Sequence, residues 1–178
     1  MQDKKISVKS IALCALFLAF SVIISFVESM SGINALFPLP GVKVGLCNVA
    51  ITACLYLCSA REAFFVALLR PIFLFAFSAN PVGFAMSVCG SMTAFASVVL
   101  TKKLYGKVLS FGGISCISAV CHSVGQIVCA CFITGSFGVL LYLPLLCAFS
   151  SVAGTICGVV MNFVIPKLEK AVLNVYGR

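Results

Sequence analysis

Residue types that carry out catalysis are scarce in this chain of 178 residues. Its four acids, Asp3, Glu28, Glu62 and Glu169, are far apart, so no carboxylate pair is placed for acid–base chemistry and no aspartate cluster could hold magnesium on a diphosphate. His122 is the single histidine, and nothing near it in sequence orients it towards a nucleophile. The P-loop motif G-x-x-x-x-G-K-[ST] is absent. We therefore predict no catalytic residues and expect a protein that is not an enzyme.

Cysteine is abundant, with eleven residues, but its spacing does not favour metal or disulfide chemistry. No C-x-x-C occurs, and the closest pairs are Cys129 with Cys131 and Cys54 with Cys58. A thiolate metal site needs clustered ligands, and a disulfide framework needs an oxidising aqueous location. We interpret these cysteines as small apolar packing residues and predict neither a metal site nor a cofactor.

Polar residues within apolar stretches are better candidates for a binding site. The candidates for substrate binding are Lys43, Asn48, Arg70, His122, Gln126 and Tyr142. An ionised side chain at the centre of a bilayer costs roughly 2.5–3.5 kcal/mol on insertion scales, so Arg70 must face protein, water or a ligand. Lys43 and Arg70 would meet an anionic part of a small molecule, and the neutral candidates would orient it by hydrogen bonds.

Each candidate also has a purely structural interpretation. Arg70 could be neutralised by Glu28 or by carbonyl groups at helix ends. Polar contacts between helices could account for Asn48, His122 and Gln126. Lys43 could be a solvated charge in a loop. The sequence leaves both interpretations open.

Long apolar runs predict the elements that position these residues. The runs span Ile11–Val27, Val44–Cys58, Ala63–Ser78, Val82–Leu100, Leu109–Ile133 and Val139–Ile165. Composition is 62% hydrophobic and 9% charged, with a mean hydropathy of +1.23, which leaves too little polar surface for a soluble domain. A barrel would show alternating polarity instead. We predict an all-α integral membrane protein, with one six-transmembrane-helix domain over residues 1–178.

Basic residues predict the orientation of this bundle. Ten of the twelve Lys and Arg residues lie at the termini or after the second and fourth runs, namely Lys4, Lys5, Lys9, Arg61, Lys102, Lys103, Lys107, Lys167, Lys170 and Arg178. Because short cytoplasmic loops collect Lys and Arg, we predict a multi-pass protein of the cytoplasmic membrane with both termini in the cytoplasm. The net charge of +8 is explained by orientation, since no basic stripe with interleaved aromatics predicts nucleic-acid binding. The polar candidates then converge on the outer half of the bundle.

Two pairs of small residues predict close helix packing. Ala15 and Ala19 share a face of the first helix, and Gly154 and Gly158 share a face of the last. Small-x-x-x-small patterns allow two helices to approach closely. Such a face serves either internal packing or docking of another membrane subunit.

Several segments resemble the Gx transporter family, which is also labelled heptaprenyl diphosphate synthase component I. The resemblance spans 11–165, and its most specific parts are P-G-V-K-x-G-L-x-N, ending at Asn48, and H-x-x-G-Q, beginning at His122. Leu69-Arg70 and Tyr142-Leu143-Pro144-Leu145 also match. The family is similar to the substrate-binding membrane subunits, or S components, of energy-coupling factor transporters.

This resemblance implies an outward-facing pocket, capped by the loop after the first helix, for a small amphiphilic and anionic molecule such as a vitamin, a flavin or a quinone or isoprenoid precursor. It also implies that Ala15 and Ala19 dock a transmembrane coupling subunit, which works with ATPase subunits. The alternative is a membrane accessory of polyprenyl diphosphate or quinone synthesis, or of a flavin-based extracellular electron-transfer assembly.

Overall fold

The computed structural model describes residues 8–30, 42–106 and 108–176, with side chains from residue 11 to residue 170 within those ranges. The described chain is all-α. Its six helices are α1 Val8–Met30, α2 Asn48–Leu57, α3 Ala60–Ser78, α4 Pro81–Thr101, α5 Phe111–Thr134 and α6 Leu143–Tyr176. Short 3-10 helices, Lys102–Leu104 and Phe137–Tyr142, follow α4 and precede α6. The predicted all-α class with six helices is confirmed. That all six helices cross the membrane, that they form a single domain and that both termini are cytoplasmic stay predictions.

Local signals in the sequence explain several helix ends. The side chain of Asn80 accepts a hydrogen bond of 3.1 Å from a backbone N–H in the first turn of α4, and Pro81 occupies the start of that helix. Ser110 caps α5 in the same way. α3 and α5 end at Ala79 and Gly135, both in the left-handed conformation.

The shortest helix, α2, lies at the centre of the bundle. It contacts all five other helices, whereas α1, α3, α4, α5 and α6 contact one another in that order around it. Seven of its ten residues are buried. At a rise of about 1.5 Å per residue, α2 is roughly 15 Å long and crosses about half of a hydrocarbon core. The run predicted to be helical from Val44 begins as a helix only at Asn48, because residues 42–45 form a non-helical segment in which Gly45 has a φ of 89°.

Glycines of α6 allow it to pack closely against α5. A Cβ atom at Gly158 would lie 2.4 Å from Cα of Gly112, and one at Gly154 would lie 2.8 Å from the carbonyl oxygen of Ser115. Neither position has room for a side chain. This pair of glycines therefore serves internal packing, one of the two roles that its spacing allowed.

Four described segments are long and apolar enough to cross a membrane. They are Ile11–Met30, Pro81–Leu104, Phe111–Thr134 and Phe137–Lys170, with mean hydropathies of 2.5, 1.7, 1.9 and 2.0. Large apolar side chains, among them Phe20, Phe132 and Phe163, are exposed on the outside of the bundle. Such an exterior suits lipid and not water. The chain is a multi-pass membrane protein.

The two ends of the bundle differ in charge. One end, which we call the basic end, carries Arg61 at the start of α3 and Lys102 and Lys103 after α4. Nζ of Lys102 donates a hydrogen bond of 2.8 Å to the carbonyl oxygen of Leu55, so α4 and α2 finish together there. The side chains of Lys4, Lys5, Lys9, Lys107 and Arg178, which also supported the predicted orientation, lie outside the described residues.

The opposite end, which we call the distal end, is where α1 and α3 finish and α4 begins. An apolar cluster there contains Val42, Met86, Ile127 and Leu146. A second apolar cluster fills the basic half of the bundle. The predicted cap over a binding site, the loop after the first helix, falls within residues 31–41 and lies outside the described residues.

Candidate functional site

Polar side chains from five helices meet between the two apolar clusters. We call the following residues the buried polar cluster: Glu28, Lys43, Asn48, Arg70, Ser91, His122 and Gln126. Lys43 is the most exposed of them at 8%, and Arg70 and His122 have no exposed surface. The cluster brings together five of the six substrate-binding residues predicted from the sequence.

Arg70 lies in the middle of α3 and donates hydrogen bonds to two neighbouring helices. Its Nη1 atom donates to Sγ of Cys47 and, over 3.4 Å, to Oδ1 of Asn48 at the start of α2. Its Nη2 atom donates to Oγ of Ser91 on α4. These hydrogen bonds solvate the guanidinium, which keeps its positive charge because arginine is not deprotonated in proteins. Arg70 therefore links α2, α3 and α4 and contributes a positive field to the cluster.

Glu28 and Gln126 hold the non-helical segment that leads into α2. Oε1 of Glu28 accepts hydrogen bonds from the backbone N–H groups of Val44 and Gly45, the second over 2.9 Å. Oε1 of Gln126 accepts from the backbone N–H of Lys43 over 3.1 Å. Non-helical backbone is tolerated at membrane depth only when its polar groups find partners in the protein. These two side chains provide those partners and fix the position of Lys43.

The same contacts assign the tautomer of His122. Because Oε1 of Gln126 accepts a hydrogen bond, its Nε2 is the amide donor, and it lies 3.0 Å from Nε2 of His122. The imidazole must accept there and carries its proton on Nδ1. Gly90 on α4 makes room for this pair, since a Cβ atom there would lie 2.8 Å from Nδ1 of His122 and 2.9 Å from Cγ of Gln126.

Tyr142 is placed apart from the other predicted site residues. It is half-buried at the end of the second 3-10 helix and packs against the distal apolar cluster. Its predicted role in substrate binding stays a prediction.

Ala15 and Ala19 lie on the outside of the bundle. The buried face of α1 consists of Phe17, Ser21, Ser25 and Glu28, and both alanines are exposed. Ala15 lines a groove of about 380 Å³ between α1 and α3. Internal packing between described helices therefore does not explain this pair of alanines.

A cavity lies beside the buried polar cluster at the distal end. It has a volume of about 200 Å³ and is bounded by α1, the non-helical segment before α2, α3 and α4. Its lining includes Lys43, Phe75, Asn80, Phe84 and Ser87. Of the predicted site residues only Lys43 lines it. Sequence reasoning missed the others because a serine or a phenylalanine within an apolar run carries no signal of its own.

The cysteines are distributed through this bundle as packing residues. Cys47 and Cys54 are fully buried, and all eleven are free thiols. Among the described residues, no group of three His, Cys, Asp or Glu side chains is close enough to hold a metal ion.

An all-α, multi-pass membrane protein with a charged and polar centre is the class that this fold and site define. The family model for heptaprenyl diphosphate synthase component I matches residues 17–164. The chain belongs to that family. Comparisons with curated proteins and with solved structures give no significant match.

Proposed function

We propose that this protein is the substrate-binding membrane subunit of an energy-coupling factor-type importer. It would capture a small amphiphilic, anionic molecule at the outer face of the cytoplasmic membrane. The observation that carries this proposal is the burial of two cations, Lys43 and Arg70, with the single acid Glu28 inside an apolar bundle. Ionisable groups at membrane depth are costly and are by default functional. The excess of positive charge favours an anionic substrate.

The orientation follows from the basic end. Arg61, Lys102 and Lys103 all lie at that end, which the positive-inside rule assigns to the cytoplasm. The distal end, with its cavity beside Lys43, then faces outwards, where an imported molecule arrives. This arrangement is an expectation that labelling of Lys103→Cys from either side of the membrane, in a background without other cysteines, would test.

Import also requires a source of energy that this chain does not contain. The sequence has no P-loop, so ATPase subunits would have to supply it through a coupling subunit. The exposed face of Ala15 and Ala19 is a suitable docking surface, because small residues allow a partner helix to approach closely.

Affinity purification of the tagged protein tests this proposal. We expect a coupling subunit and ATPase subunits to co-purify, and Ala15→Leu to remove them because a bulky side chain prevents close approach. The matched control is Ile23→Leu, a change at another exposed position of α1, which should retain both partners. Absence of ATPase subunits from every preparation would contradict an importer.

A second function is favoured by the name of the family. A membrane accessory of polyprenyl diphosphate synthesis would associate with a soluble synthase, which would supply the metal-binding carboxylates that this chain lacks. The same purification separates the two functions. A soluble synthase in place of ATPase subunits would support the accessory, and a flavoprotein would support an electron-transfer assembly.

A further inference from the structure

The lining of the distal cavity contains a buried hydroxyl group with unused hydrogen-bonding capacity. Arg70 and Gln126 direct their hydrogen bonds to other residues of the protein. Ser87 is 3% exposed and lines the cavity, yet its Oγ has no hydrogen-bond partner. A buried hydroxyl without a partner is uncommon because it forgoes the hydrogen bonds that it makes in water. Ser87 therefore marks a position that a ligand atom can satisfy.

Lys43 supplies the charge of this cavity. Its side chain lines the wall, and only 8% of the residue is exposed. The backbone around it is held by Gln126 on one side and by Glu28 on the other, so the lysine is presented from a fixed position. Glu28 is the one acid in the buried polar cluster, and its Oε1 atom is already bonded to two backbone N–H groups. Lys43 and Arg70 contribute two positive charges to the cluster, and Glu28 contributes one negative charge. An anionic ligand would therefore balance the remaining positive charge.

Two aromatic rings form an apolar wall of the same cavity. Phe75 of α3 and Phe84 of α4 lie with their ring centroids 5.2 Å apart and their planes tilted by 49°. Tilted aromatic pairs present both a face and an edge to a third ring. The cavity thus combines one cation, the hydroxyl of Ser87 that has no partner, and an aromatic wall.

We infer that the ligand of this cavity is a compact aromatic anion, whose carboxylate or phosphate contacts Nζ of Lys43 and Oγ of Ser87 and whose ring packs on Phe75 and Phe84. The volume of about 200 Å³ limits the ligand to one or two fused rings, since pockets for drug-sized molecules span about 300–1,000 Å³. In this arrangement Gln126, which is itself bonded to His122, positions the lysine, and Arg70, His122 and Gln126 do not contact the ligand. The inference rests on the proposed function only in assigning this ligand to import.

Binding of three naphthalene probes to the purified full-length protein tests the inference. The probes are 2-naphthoate, 2-naphthyl phosphate and the neutral 2-naphthamide, and the chain has no tryptophan to obscure their fluorescence. We expect at least one anion to bind about tenfold or more tightly than the amide. The stronger of the two anions identifies the carboxylate or the phosphate as the recognised group.

Substitutions then locate the binding. Lys43→Met should remove the preference for the anion, Ser87→Ala should weaken anion binding about threefold to tenfold, and Lys103→Met at the basic end should change neither. Equal binding of anion and amide by the wild type, no binding of any probe, or an unchanged preference in folded Lys43→Met would overturn the inference. Should Lys43→Met fail to fold, Ser87→Leu decides, because filling the cavity must abolish binding of all three probes.

The purification experiment keeps the two hypotheses separate. If probe binding depends on Lys43 but no ATPase subunits co-purify, the inferred binding site is supported and the importer hypothesis is contradicted. If ATPase subunits co-purify but probe binding does not depend on Lys43, the importer hypothesis is supported and the inferred binding site is contradicted.

Discussion

The cations near the two ends of α2 differ in burial and in the role of their hydrogen bonds. At the basic end, Nζ of Lys102 bonds the carbonyl oxygen of Leu55 and lies 5.3 Å from the centre of the Tyr56 ring, while Tyr105 and Phe111 pack edge-on against that ring. Lys102 is exposed, and the carbonyl is the kind of partner that a helix C-terminus offers.

At the start of α2 the cations are buried instead. Arg70 bonds Asn48 there, and Lys43 lies on the non-helical segment held by Glu28. The cation at the basic end closes a helix and remains in contact with the surface, whereas those at the distal end are kept in the interior at an energetic cost. A charge that only stabilises a fold does not need to be buried in the interior of the bundle. We therefore expect the buried cations near the distal end to serve function.

Removal of the Glu28 carboxylate should have the largest effect on stability. Glu28→Ala leaves the N–H groups of Val44 and Gly45 without their acceptor and should lower the free energy of unfolding by about 3 kcal/mol. Glu28→Gln keeps an acceptor oxygen and should recover more than half of that loss. Unfolding in detergent measures both variants. Equal losses in the two would mean that charge, and not the hydrogen bonds to the segment, is what Glu28 contributes.

Removal of the buried cation should have the next largest effect. Arg70→Gln should cost about 2 kcal/mol, with a coupling energy to Ser91→Ala of about 1 kcal/mol and to Glu28→Gln below about 0.5 kcal/mol. At the basic end, the matched variant Lys102→Met should cost less than about 1 kcal/mol. Double-mutant cycles in thermal unfolding provide these values. Strong coupling of Arg70 to Glu28 would show instead that the two form a structural ion pair.

Replacement of glycine by alanine should change stability with opposite sign in the buried polar cluster and at the basic end. Gly90→Ala should destabilise by about 1–3 kcal/mol, because its Cβ atom would lie 2.7 Å from Cε1 of His122. Gly112→Ala should be neutral or slightly stabilising, since its Cβ atom meets only Oγ of Ser110 at 3.4 Å. Comparison of the two unfolding temperatures checks this. If Gly90→Ala does not lower the unfolding temperature, α4 and α5 can move apart to make room for the added methyl group beside His122.

Contacts within the site could be anticipated only where they are local. His122 and Gln126 are four residues apart on one helix, so their proximity follows from helical geometry. The bond between Gln126 and Lys43 joins residues 83 positions apart, and no pattern in the sequence pairs them. Whether Arg70 is balanced by Glu28 was equally open, and the described hydrogen bonds of the two side chains go to different groups.

The sequence by itself determined the all-α membrane class, the six helices and the family, because the length of an apolar run and a short motif are properties of neighbouring residues. Only the tertiary structure decided that α2 begins late, that Glu28 holds backbone, and that Ser87 and two phenylalanines enclose a cavity with Lys43. Serine and phenylalanine are ordinary residues of membrane helices, so their role depends on which face of the helix meets which neighbour. That choice is made by packing across the whole bundle.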